Sequence, residues 1–121
     1  MRRRASLPVV VLVLAATGCG AGVTRIAVPG GDPSRGAQLM DAYGCGSCHT
    51  IAGIDGADAT VGPPLVDFAD RSLIAGRLPN TLPNLLRWLR DPQAVEPGTV
   101  MPDLGVATPQ ARDLAAYLYS H

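Results

Sequence analysis

Residues 43–50 read YGCGSCHT: two of the chain's three cysteines, Cys45 and Cys48, are separated by two residues, and His49 follows the second directly. A C-x-x-C pair serves thiol redox chemistry, half of a zinc site, or covalent attachment of a c-type haem. In the last case each thiol adds to one haem vinyl group, and the adjacent histidine is placed to ligate the iron from one face. A thioredoxin-like pair should open a helix after a strand, and no run in this chain alternates with a strand's period. A structural zinc site needs four ligands, yet beyond Cys45, Cys48 and His49 only Cys19 and His121 could contribute. Covalent haem is the reading these residues favour, with zinc and thiol redox as the alternatives.

Working outward, the segment before the cysteines has a helical pattern from Ser34. Gly36, Ala37, Met40 and Tyr43 share one face, Asp32 or Ser34 can cap, and Gly44 ends the run. Residues 50–65 are rich in Gly, Asp and Pro and read as loop. A second helix is expected over 82–90, with Leu82, Leu85, Leu86 and Leu89 at helical spacing, Thr81 as cap and Pro92 limiting its continuation. The last helix takes Thr108 as cap and Pro109 as its first residue, with Ala111, Leu114, Ala115 and Leu118 on one face. The fold expected is all-α, with three main helices and long loops. Loops of that length are uncommon in a domain of this size unless a ligand organises them, which points to a large buried cofactor.

The N-terminal segment has a different character. Arg2, Arg3 and Arg4 precede an apolar run at 7–16, too short to span a bilayer but suited to the apolar part of an export signal. The small residues before Cys19 resemble a bacterial lipobox, so residues 1–18 are expected to be a lipoprotein signal peptide and Cys19 the lipidation site. Residues 19–33 are expected to be the lipidated N-terminus and a flexible tether, and residues 34–121 the functional domain. The location expected is the outer, periplasmic face of a bacterial cytoplasmic membrane, reached by a lipid anchor.

Three of the ten arginines would leave with the signal while all ten acidic residues stay, a net charge of about −3. With no lysine and no basic run outside the signal, nucleic-acid binding has no support. No paired carboxylates, nucleophile and base set, or phosphate-binding loop accompanies CGSCH, so no catalytic residue is assigned and the chain is read as a non-enzyme.

From Gly36 onward the succession GCGSCH, GPPL, WLRDPQAVEPGTVMP and DLAAYL resembles a class I mono-haem c-type cytochrome. It is also similar to the cytochrome c domain of bacterial haem–copper oxidase subunit II. The resemblance implies a cytochrome c fold wrapped around one haem c, covalent through Cys45 and Cys48, with His49 and Met101 as the two iron ligands. It also implies that the Pro63 carbonyl orients His49, that Arg71 binds a haem propionate, that Thr99 stands near a propionate or the methionine loop, and that Trp88 packs on the haem. Trp88 replaces a tyrosine of the mitochondrial relatives, so a hydroxyl bond to the methionine sulfur is not expected. Gly36, Leu114 and Tyr117 match the close crossing of the first and last helices. The ring of lysines around the haem edge of those relatives is missing, so their usual partners are not expected.

With both axial positions filled, such a haem exchanges single electrons without changing ligands. The function expected is electron transfer in a respiratory chain, with redox partners such as a haem–copper oxidase or a quinol–cytochrome reductase. The alternative is a haem-based ligand sensor or enzyme with a labile methionine.

Overall fold

The computed structural model describes residues 26–121. The signal peptide expected at 1–18 and the lipidation expected at Cys19 lie outside the described residues. The elements are mostly helical. Helix α1 spans Pro33–Ala42, α2 Leu82–Arg90, α3 Pro92–Val95 and α4 Thr108–Leu118, with a small hairpin of β1, Leu73–Ile74, and β2, Leu78–Pro79.

Helix α1 starts where an aspartate precedes a proline. The Asp32 carboxylate accepts the Ser34 and Arg35 backbone N–H groups, and Pro33 occupies the first turn, where its missing N–H costs nothing. Gly44 follows the helix with φ +69°, a left-handed conformation that glycine adopts freely, and turns the chain into the 3₁₀ turn Cys45–Ser47.

Three sequence expectations need correction. Among the described residues four helices form rather than three, because Asp91 and Pro92 end α2 and also start α3. The Asp91 side chain accepts the Ala94 N–H at 2.9 Å while Pro92 sits at the first helical position. The cap of α4 is Ala107 rather than Thr108, and Gln110 supplies the polar contact by accepting the Ala107 N–H at 3.0 Å. The hairpin was unexpected because two-residue strands carry no period. Its turn has Ala75 and Gly76 at φ +51° and +66°, the geometry of a tight hairpin, closed by Arg77 N–H to the Ile74 carbonyl at 3.0 Å.

The core forms where α1 crosses α4. A Cβ at Gly36 would lie 2.2 Å from the Asp113 carbonyl oxygen and 2.7 Å from the Tyr117 Cβ, so only glycine permits this approach. Leu114 is buried beside the crossing. At its edge buried Asp113 accepts the Asp32 N–H at 2.8 Å and takes the Arg35 guanidinium at 3.0 and 3.1 Å. Residues 28–32, expected as the end of a flexible tether, are packed against α4. Val28 is buried, the Arg112 side chain donates to the Pro29 carbonyl, and an added Cβ at Gly31 would lie 2.5 Å from the Arg112 carbonyl oxygen.

The long middle segment is tied to the same core. Fully buried Tyr119 stacks obliquely on Phe68 at 6.0 Å, and its hydroxyl donates to Asn80 Oδ1 at 2.9 Å. The Asn80 amide nitrogen then donates to the Phe68 carbonyl at 2.9 Å, so both ends of that amide are satisfied.

Candidate functional site

Among the described residues, an apolar cavity of about 680 Å³ opens into the fold, within the roughly 300–1,000 Å³ range of ligand pockets. Cys45, Cys48, His49, Pro63, Arg71, Trp88, Thr99 and Met101 all line it. Every residue singled out for haem binding in the sequence therefore faces a single space. Met40, Phe68, Ile74 and Leu85 add an apolar lining from the core.

The cysteines and histidine come from the 3₁₀ turn and the residues after it. Gly46, between the cysteines, lies against Ala57, where an added Cβ would meet the Ala57 Cβ at 2.8 Å. Both thiols are free and half-buried, and burial pushes the Cys45 thiol above its ordinary pKa. A reactive redox cysteine is held the other way, toward the thiolate, so this environment does not favour the thiol-redox alternative.

His49 is fixed by the loop that follows. Gly62 N–H donates to the Cys48 carbonyl and Leu65 N–H to the Thr50 carbonyl, both at 2.7 Å, which lays 62–65 alongside 48–50. That contact brings His49 Nδ1 to 2.7 Å from the Pro63 carbonyl oxygen. A carbonyl only accepts, so Nδ1 carries the proton and Nε2 presents its lone pair. The imidazole lies so close over Gly62 that an added Cβ would stand 2.4 Å from its Cε1. The other imidazole, His121, is engaged elsewhere, stacked on Tyr117 at 4.1 Å.

Arg71 donates to the Pro64 carbonyl and lies over the Phe68 ring at 5.5 Å. Trp88 is half-buried and packs on the core. Thr99 Oγ1 accepts the Met101 N–H at 3.3 Å, closing a turn just before the thioether. Two features were missed by sequence reasoning. Gln93 of α3 holds this methionine loop through its amide, and Arg77 of the hairpin pairs with Glu96 at 3.0 Å, joining the two segments that border the cavity.

The donor set fits a c-type haem. Two thiols, an imidazole with its Nε2 free and a thioether share one apolar space, with a glycine where the imidazole needs clearance. Among the described residues, no group of three or more His, Cys, Asp or Glu side chains is disposed to hold a metal ion by itself.

Comparison with known proteins points the same way. The Cytochrome c family model matches residues 33–121. Cytochrome c oxidase subunit 2 of Bacillus sp. (strain PS3) is 54% identical over 39 residues, which cover 32% of this chain and 11% of that protein. Cytochrome c oxidase subunit 2 of Alkalihalophilus pseudofirmus is 48% identical over 40 residues, 33% of this chain and 12% of that protein. The chain thus spans about a tenth of the length of these two relatives. Since the family match runs through the cysteine pair, the cavity-lining loops and the four helices of the described residues, the chain belongs to the cytochrome c family, whose members hold haem covalently through such cysteines.

Proposed function

We propose that this protein is a mono-haem c-type cytochrome that transfers single electrons between membrane-bound respiratory complexes. The observation that carries the reading is that Cys45, Cys48, His49 and Met101 line one apolar cavity while the Pro63 carbonyl leaves His49 Nε2 free.

Haem iron supplies a one-electron ferric–ferrous couple when bound. Cys45 and Cys48 would hold the haem covalently through their thiols, and His49 Nε2 and Met101 Sδ would be the groups that bind its iron. The Pro63 carbonyl strengthens the imidazole as a donor and fixes its tautomer. A soft thioether favours ferrous iron, and the apolar lining from Phe68, Ile74 and Leu85 disfavours the additional positive charge of the ferric state. Both effects raise the potential. Arg71 is the group we assign to a propionate, Thr99 to a propionate or the methionine loop, and Trp88 to packing on the macrocycle. If His49 and Met101 both bind the iron, it would have no open position for a substrate, which supports electron carriage.

The partial likeness to two oxidase subunits supports a terminal oxidase as electron acceptor. The charge pattern and short apolar run at the N-terminus support export and attachment by lipid at Cys19 to the periplasmic face of the membrane. No helix among the described residues is long and apolar enough to cross a membrane.

The test is the visible absorption spectrum of protein matured with a working c-type assembly system, taken in both redox states. Covalent haem with the weak far-red band of thioether sulfur on ferric iron is the expected result. Covalent haem without that band, together with binding of carbon monoxide by the ferrous protein at neutral pH, would instead assign the protein as a ligand sensor or haem enzyme.

A further inference from the structure

Met101 sits on a loop with little apolar cover of its own. Val100 beside it is 85% exposed, and Gly98 has φ +84° with open space around it. A segment with so few buried contacts opens easily unless hydrogen bonds restrain it.

Those bonds converge on Gln93, the second residue of α3. Its Nε2 donates to the Thr99 carbonyl at 2.8 Å and to the Met101 carbonyl at 3.2 Å, while its Oε1 accepts the Gly98 N–H at 3.3 Å. One amide therefore grips the backbone on both sides of Val100. Thr99 completes the turn, its N–H donating to the Glu96 carbonyl at 3.0 Å. The helix beneath is firmly seated, since Pro92 and Val95 are buried.

We propose that Gln93 is a positioning residue for the Met101 thioether, restricting the loop so that the sulfur is held at the iron rather than ordered only when it binds. The proposal rests on the reading of Met101 as an axial ligand. Thioether sulfur is a weak ligand that competes with external bases for the same iron position, so loosening the loop shifts that competition outward. The residue type matters. Only a primary amide of this length both donates to two carbonyls and accepts from a third group, whereas a carboxylate at the same place would set oxygen against the Thr99 and Met101 carbonyls.

The test compares haem-bound wild type, Gln93→Ala and Gln93→Glu by titrating the ferric proteins with imidazole while following the far-red band. Loss of this hydrogen-bonded clamp should make imidazole bind about five- to tenfold more tightly in Gln93→Ala, with a weaker far-red band at zero imidazole. Gln93→Glu keeps the side-chain volume, should behave the same way, and covers the case in which the alanine variant fails to mature. A wild-type band together with unchanged imidazole affinity in either variant overturns the Gln93 proposal alone. A wild-type protein with covalent haem but no far-red band overturns the Met101 reading itself, and the Gln93 proposal with it.

Discussion

The imidazole of His49 rests on Gly62: an added Cβ there would come within 2.4 Å of Cε1, 2.7 Å of Nδ1 and 3.0 Å of Nε2. The contact is to the ring that would face the iron, and the same loop supplies the carbonyl that fixes its tautomer. Gly62→Ala must therefore push the ring away from its hydrogen bond. Overpacking of this kind costs about 1–3 kcal/mol, here directed at a ligand. The expected outcome is a severalfold fall in covalent haem per chain, measured as the ratio of haem to protein absorbance. Wild-type yield with an unchanged spectrum would show that the loop gives way without cost.

Gly36 is a second position where only a hydrogen fits. Gly36→Ala would drive a methyl into the Asp113 carbonyl at the crossing of α1 and α4. A loss of about 1–3 kcal/mol is expected in denaturant unfolding of the haem-bound protein. Unlike Gly62→Ala, this change should leave the spectrum of the folded fraction intact.

The Asp113 carboxyl has a pH signature. Hydrogen bonds from Arg35, then from the Asp32 backbone, hold it below its ordinary value of 3.8, against the opposing effect of burial. Because the folded-state value is depressed, the stability this contributes is present above about pH 4 and is lost as pH falls through the depressed value. Asp113→Asn should therefore be less stable than wild type near neutral pH, with the gap closing below about pH 4. Urea midpoints of both proteins across that range measure it, and a gap independent of pH would assign the effect to packing.

Attachment is tested at Cys19. Cys19→Ser should move the protein from the membrane to the periplasmic or culture fraction if the thiol carries the lipid. Retention in the membrane would mean that the apolar run at 7–16 holds it unaided.

What could be read from the chain and what could not divide along a physical line. CGSCH and the helices bearing Gly36, Leu85 and Leu114 announce themselves through fixed local spacing. Met101 and Pro63 were reachable through resemblance, since each is meaningful only against a ligand some distance along the chain. Gln93 and Gly62 carry no local mark. A glutamine after Asp-Pro reads as an ordinary exposed residue until the loop it grips is in place, and a glycine before two prolines reads as a turn until an imidazole is found on it. The hairpin at Ala75 and Gly76 escaped because it is shorter than any period, and α3 because a proline that stops one helix also begins another.

The α1–α4 crossing also sets an order of events during biogenesis. Asp32 and Asp113, joined across 81 residues, cannot meet until all of the intervening segment has emerged. Closing so long a loop is slow compared with forming local helices. Until Tyr117 arrives beside Gly36, the cysteines at 45 and 48 belong to an open chain, reachable before the cavity they line is complete.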